Sequence, residues 1–151
     1  AMIRSEWLKR FGAKIGLSAP NSEDANLITD LLGLMQDAKA DFTNTFRGLI
    51  DGTARNAFED PTAFDAWSNT WKARIEGEDD PLQVMSLANP AIIPRNHRIE
   101  EMITAATRRD DTVFERLIKA YRTPYNAAHD TSDLRNPPQP EEVVQATFCG
   151  T

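Results

Sequence analysis

The amino-acid sequence predicts an all-α fold, an irregular array of about six or seven helices followed by an extended, proline-rich tail. Apolar residues recur at spacings of three and four along most of the chain, which is the period of one helix face. Stretches that alternate apolar and polar residues at strand length are scarce. Glycine, proline and capping residues divide the helical pattern into separate elements.

Each of the first four predicted helices has an apolar face and a signal at one or both ends. Capping residues or a first-turn proline indicate starts at Asn21 or Ser22, at Asp41 or Thr43, and at Pro61. Glycines that commonly follow a helix indicate ends near Gly12 and Gly16, near Gly52 and at Gly77. The apolar faces are Met2, Ile3, Trp7, Leu8 and Phe11; Leu27, Leu31, Leu34 and Met35; Phe42, Phe46, Leu49 and Ile50; and Phe64, Trp67, Trp71 and Ile75.

The second half of the pattern contains three further elements. Residues 81–88 are predicted to form one or two helical turns, and NPAIIP at 89–94 is predicted to be irregular, because residues before proline disfavour the helix. Helices are predicted over 95–108 and 112–121, and their short connection indicates a hairpin. The first of them has Ile99, Met102, Ile103 and Ala106 on one face, and the second is predicted to bury Val113, Phe114, Leu117 and Ile118.

The end of the chain differs in composition from the rest. From Pro124 onward apolar residues are few, no helical period is evident, and three prolines fall within residues 137–140. Such a segment favours extended backbone lying on a folded body. We therefore predict a helical domain over residues 1–123 and an extended C-terminal tail over 124–151.

Charge and cysteine content exclude several classes of protein. The 151 residues include 17 Lys and Arg against 23 Asp and Glu, a net charge of −6 that disfavours a nucleic-acid partner. No apolar run is long enough for a membrane span or a signal peptide. The single cysteine excludes an internal disulfide and favours a reducing compartment. We expect a cytoplasmic protein without a nucleic-acid or membrane partner.

Two arginines in the first turn of the helix predicted at 95–108 are unusual. Arg95 and Arg98 lie where exposed amide groups already create positive potential, so an anion is expected to compensate them. One interpretation is a phosphate or nucleotide site formed by Arg95, Asn96 and Arg98. The other, which the acidic composition favours, is an internal salt bridge from Arg95.

Other candidate sites are weaker. His97 with Glu100 and Glu101 has the spacing of a metal half-site or an acid/base pair, but a pair on a solvated helix face is more common. Trp67 and Trp71 are predicted to be core residues. The sequence contains neither a phosphate-binding glycine motif nor a kinase or hydrolase signature. We therefore predict no catalytic residue and no metal ligand in this chain.

The lone cysteine, Cys149, is the third residue from the end of the chain, in TFCGT. Phe148 could anchor the terminus, and Gly150 would allow close approach of a partner. A tethered thiol near a chain end can form and release a disulfide as redox conditions change. We predict a redox site at Cys149 whose partner lies outside these 151 residues.

Three segments carry a resemblance to a known family. NPAIIPRNHRIEEMI, FERLIKAYRTPY and TFCGT resemble the C-terminal part of the SelO (YdiU) family, and WLKRFGAKIGL and ADFTNTFRGL fit the same region. Asn89, Pro90, Arg95 and Asn96 with the near-terminal cysteine are the most specific matches. The resemblance covers nearly the whole chain, which corresponds to about the last third of a typical member.

The resemblance implies a kinase-like parent enzyme, long described as a pseudokinase, that transfers AMP from ATP to protein Ser, Thr or Tyr hydroxyls with Mg or Mn. Members are bacterial or mitochondrial, and some eukaryotic members have selenocysteine at the position of Cys149. The family's nucleotide-binding motifs are not in this chain. The resemblance therefore implies a non-catalytic end of the kinase-like C-terminal lobe, inactive alone and without its own cofactor, whose partner is the rest of the polypeptide.

Two other hypotheses remain open from the residues. The chain could be an autonomous α-helical module that binds a partner in a groove between helices. It could also be an anion-binding regulatory domain that uses Arg95 and Arg98. A fragment is expected to expose apolar surface where a missing lobe packed, and to dimerise through that surface.

Overall fold

The computed structural model describes residues 2–126 and 129–144, and the fold of these residues is all-α. Seven α-helices and no strand occur within the described ranges, which confirms the predicted fold class. The helices are α1 (Met2–Lys14), α2 (Asp24–Asp37), α3 (Phe42–Asp51), α4 (Thr62–Ile75), α5 (Pro81–Ala88), α6 (Asn96–Thr107) and α7 (Thr112–Tyr121). Three 3₁₀ helices span Ala54–Ala57, His129–Arg135 and Pro140–Glu142.

Local signals in the sequence explain where several helices start and stop. The Asp41 carboxylate accepts a hydrogen bond from the Asn44 N–H (2.8 Å), as predicted for the cap of α3. Gly52 ends α3 with a left-handed backbone (φ 78°). Asp80 caps α5, and Pro81 occupies its first position. The boundaries of α3 and α5 therefore follow from the chain's own capping residues. The predicted cap of α2 at Asn21 or Ser22 is wrong, because the N-cap is Glu23 and its side chain does not cap this helix.

The chain forms two compact units, Ala1–Pro90 and Ala91–Thr151. The predicted boundary at residue 123 falls inside the second unit. Within residues 124–144, two 3₁₀ helices interrupt the expected extended backbone, and Leu134 from the first of them is buried in the core of this unit. The division into a helical domain and a tail stays a prediction.

The first unit is held by an aromatic core, as the periodicity predicted. Trp67 and Trp71 are buried, and their rings stack with centroids 5.5 Å apart. Each indole N–H also donates to a buried backbone carbonyl, Trp67 to Leu27 and Trp71 to Ile15, both at 2.8 Å. Because a buried donor without an acceptor is costly, these bonds fix how α4 packs.

An ion-pair cluster ties α4 to the start of α2. Asp24 is buried, with 4% of its surface exposed, and both its oxygens accept from Arg74, at 2.7 and 3.1 Å. Arg74 also pairs with Glu78 at 3.1 Å, and Glu78 accepts from the Ser18 N–H and hydroxyl. The hydrogen bonds from Ser18, more than the charge of Arg74, lower the pKa of Glu78.

Several apolar residues predicted to be buried are exposed. Phe114 and Ile118 on α7 are exposed, and so is Phe42 on α3, which the apolar pattern placed toward the core; these predictions are wrong. Met2 and Ile3, from the apolar face predicted for α1, are also exposed. On α7 only Leu117 and Ala120 are fully buried, because the small core of the second unit covers a narrower stripe than the apolar pattern spans.

Candidate functional site

The Asn89–Pro90 motif is a structural junction of the first unit. Asn89 is buried, and its side-chain amide donates to the Lys14 carbonyl (2.8 Å) while its Oδ1 accepts from Lys14 Nζ (3.3 Å). The Asn89 carbonyl accepts from Arg47 Nη1 at 3.1 Å. Burial lowers the pKa of Lys14. Asn89, one of the most specific matches to the family, therefore has a structural role in packing.

The irregular segment after Pro90 is fixed in the second unit by one carbonyl. The N–H groups of Ala91 and Ile92 both donate to the Pro124 carbonyl, at 2.8 and 3.1 Å, and both residues are buried. This arrangement replaces the helical hydrogen bonds that the prolines prevent. It places the start of α6 at a defined position, immediately after Pro94.

The residues predicted to bind an anion meet at the N-terminus of α6. Arg95 is the N-cap residue, is buried, and its side chain does not cap the helix. Asn96 is exposed beside it, and both residues line a cavity of about 310 Å³ with His97 and Val144. The structure brings Arg95 and Asn96 together, and anion binding by them stays a prediction.

Arg98 is engaged by its own surroundings. Its Nη1 pairs with Glu101 at 2.9 Å, one turn along α6, and its Nη2 donates to the Asp133 carbonyl at 3.3 Å. Asp133 in turn pairs with Arg116 of α7 at 2.6 Å, which lowers the pKa of the Asp133 carboxyl. An acidic side chain and a carbonyl therefore compensate the cation in the first turn.

His97 lies in a position that the sequence did not indicate. The expectation of a solvated helix face is wrong for it, because its side chain is buried with 7% of the residue exposed. Its Nε2 atom is buried and has no hydrogen-bond partner. Burial, and secondly the charge of Arg98, lower the pKa of His97, whereas Glu142 acts in the opposite direction. The imidazole is therefore neutral near pH about 7.

A groove lies against His97 between one face of α6 and the segment 141–144. We call it the α6 groove; its volume is about 550 Å³, and its lining residues are His97, Arg98, Glu100, Glu101, Thr104, Glu141, Glu142, Val143 and Val144. The Gln139 N–H donates to Glu142 Oε2 at 2.9 Å in a capping box, which sets the direction of the 3₁₀ helix Pro140–Glu142. One side of the groove is therefore formed by residues on one face of α6, and the other side by residues 141–144, which follow the capping box.

Other predictions about sites meet the structure in different ways. Cys149, the predicted redox residue, and its neighbours Phe148 and Gly150 lie outside the described residues. Within 2–126 and 129–144, no group of three or more His, Cys, Asp or Glu side chains is arranged to hold a metal ion. In that same part of the chain no helix has both the length and the apolar character that crossing a membrane requires.

The fold and the α6 site define an all-α protein region with a charged groove on its second unit. No protein-family profile matches the chain. Individual relatives do match it, and they carry the name protein nucleotidyltransferase YdiU. One from a Ruegeria species is 55% identical over 150 residues, which are 99% of this chain and 32% of that protein. Relatives from Roseobacter denitrificans (51% identical; 99% of this chain, 31% of that protein) and Halalkalibacterium halodurans (40%; 96% and 31%) also match.

These matches confirm the resemblance drawn from the sequence. The chain belongs to the YdiU protein nucleotidyltransferase family. It spans about a third of the length of the curated relatives that it matches. The match therefore concerns one part of these proteins, and their printed name describes the whole of each relative.

Proposed function

We propose that this chain is the C-terminal helical portion of a protein adenylyltransferase, and that it stabilises the kinase-like enzyme without carrying its catalytic residues. The parent enzyme would transfer AMP from ATP to protein Ser, Thr or Tyr hydroxyls with Mg or Mn, in the bacterial cytoplasm. The observation that carries this proposal is the 55% identity over 150 residues with a protein nucleotidyltransferase three times as long as the match.

The roles of the charged residues support a structural contribution. Arg74 and Asp24 join α4 to α2, and Arg116 and Asp133 join α7 to the 3₁₀ helix that follows it. Asn89, in the most specific motif of the resemblance, is likewise held in packing contacts. These side chains fix helices to one another, which is what a supporting portion of a larger enzyme requires.

An assay with labelled ATP tests where catalysis resides. The chain and the complete Ruegeria relative would each be incubated with magnesium and ATP labelled in its α-phosphate, with and without a generic acceptor protein; transfer of AMP leaves this label on the protein and releases pyrophosphate. We expect label on the complete relative and none on the isolated chain. Robust self-labelling of the chain would overturn the assignment of catalysis to the remaining two thirds.

The second part of the proposal is that Cys149 is a reversible redox site. Its support is the family resemblance of TFCGT, which contains the chain's single cysteine. In the complete enzyme, the thiolate would be oxidised with a second cysteine thiolate to a disulfide by an oxidant such as hydrogen peroxide, which is reduced to water, and a dithiol would reverse the step. If Cys149→Ser leaves the enzyme's response to oxidant unaltered, this part fails while the first part stands.

The alternative is an autonomous α-helical interaction module. Exposed apolar side chains on α6 and α7 fit this module, and they equally fit a fragment whose missing lobe packed there. Ile103 and Phe114 are 46% and 47% exposed, and they line a groove of about 520 Å³ together with Met102 and Ala106. A surface of this kind also predicts that the isolated chain dimerises. Gel filtration over a range of concentrations measures this, and a strict monomer throughout would contradict it.

A further inference from the structure

The α6 groove carries an excess of negative charge. Four carboxylates line it, from Glu100 and Glu101 on α6 and from Glu141 and Glu142 on the opposite wall. Among the described residues of its lining, Arg98 alone is positively charged, and Arg98 already pairs with Glu101. The charge of the groove therefore favours a cationic ligand and disfavours a phosphate.

A second, independent feature is the histidine in its wall. The Nε2 atom of His97 is buried and has no hydrogen-bond partner, and more than nine-tenths of the surface of this residue is enclosed by protein. Leaving such a polar atom unsatisfied is costly, so a ligand that supplies a donor is favoured. Because the imidazole is neutral, Nε2 can accept a hydrogen bond from a cationic N–H group.

The rest of the lining is partly aliphatic. Val143 and Val144 line the groove, together with Thr104 of α6. A lysine or arginine side chain combines an aliphatic stem with a charged end, and its stem packs on apolar surface while the charged end meets polar groups. The groove has this same combination of an apolar wall and carboxylates.

We propose that the α6 groove binds a lysine or arginine side chain of a protein partner. The stem lies along Val143 and Val144, and the charged end lies among the carboxylates within reach of His97. This role goes beyond the proposed function, because it concerns a recognition site and not a structural contribution to the parent enzyme.

The two histidines of the chain make this testable by NMR. The ring proton signals of His97 are distinguished from those of His129 with the variant His129→Gln. The chain is titrated with N-acetyl-lysine amide and, as a control of equal stem length without charge, N-acetyl-norleucine amide. We expect a saturable shift of the His97 signals with the lysine derivative, weakened by added salt, and none with the norleucine derivative.

Matched carboxylate variants locate the binding site. Glu100→Gln and Glu141→Gln are each expected to weaken binding of the lysine derivative about two- to fivefold, as for a partly exposed ion pair. Glu115→Gln, on the exposed surface of α7 outside the groove, is the control and is expected to bind normally. Circular dichroism checks that all three variants are folded.

Three outcomes overturn the proposal. The first is the absence of any shift of His97 with the lysine derivative. The second is an equal shift with the norleucine derivative, which would indicate a purely apolar site. The third is a saturable shift with sodium phosphate at constant pH and ionic strength, which would indicate the anion site that the sequence suggested at Arg95, Asn96 and Arg98.

Discussion

Replacing Arg74 by methionine tests whether the contribution of an ion pair to the stability of this fold depends on its burial or on its geometry. Arg74 donates to both oxygens of Asp24, and Asp24 is buried at the first position of α2. Arg55 and Asp65 provide a matched control, because they form the same two-bond geometry at 2.8 and 2.9 Å on the exposed surface. Arg55→Met removes the same two bonds to an aspartate without uncovering a buried charge, whereas Arg74→Met also removes one bond to Glu78.

The expected loss follows from what remains around Asp24. Removing one partner of a buried pair costs about 3–5 kcal/mol, because the other charge is left uncompensated. Here the Asn21 N–H still donates to Asp24 at 2.8 Å, and 30% of the Arg74 side chain is exposed, so we expect the lower end, about 3 kcal/mol. At a urea dependence of about 2 kcal/mol/M, the unfolding midpoint falls by about 1.5 M.

Tryptophan fluorescence during urea unfolding measures this loss of stability in the first unit, where Arg74 and Asp24 lie. All three tryptophans, Trp7, Trp67 and Trp71, lie within residues 1–90, so the signal reports on the first unit. Arg55→Met should leave the midpoint unchanged. The reasoning is refuted if the unfolding midpoint of Arg74→Met is not lower than that of Arg55→Met. It is also refuted if the double variant Asp24→Leu/Arg74→Met is less stable than Arg74→Met, because the double variant no longer contains the buried charge.

Three further predictions concern stability. Gly48→Ala places a Cβ 2.5 Å from the backbone nitrogen of Ala54, so it should lower the free energy of unfolding, measured in urea, by about 1–3 kcal/mol. A Cβ at Gly33 has nothing within 4 Å, so Gly33→Ala should stabilise α2 by up to about 1 kcal/mol. Equal effects of the two variants would contradict this prediction. Because folding lowers the pKa of His97, the unfolded chain binds the proton more tightly, and the stability of the fold should decrease as the pH drops below about 6.5. Amide hydrogen exchange in α6 measures this stability as a function of pH, and His97→Gln should make it depend less on pH. Arg109→Gly relieves a left-handed backbone (φ 62°) and should raise the thermal midpoint slightly; a decrease would argue against strain at this turn.

The helices could be predicted because their signals are local. The predicted range 112–121 is that of α7, and 95–108 exceeds α6 by one residue at each end. Caps such as Asp41 and glycines such as Gly52 act through neighbouring backbone atoms, so their effect can be read from adjacent residues. The 3₁₀ helix at His129–Arg135 was missed, because a single buried leucine carries no period.

The candidate site was predicted less completely. The sequence singled out Arg95, Asn96 and Arg98, and the structure places all three at the start of α6. It did not indicate that Arg98 pairs with Glu101 and with the Asp133 carbonyl, or that His97 is buried. The contact with residue 133 joins positions 35 apart in the chain, and no local pattern encodes it.

The sequence by itself determined the fold class, the positions of the α-helices and the family of this protein. Helical period, caps and short motifs are properties of residues close together in the chain, and they survive whatever the helices pack against. Only the tertiary structure decided which apolar faces are covered, which carboxylate is buried at Arg74, and that His97 faces a groove lined by four glutamates. Burial and charge compensation depend on distances between residues far apart in sequence, and those distances exist only once the helices have packed.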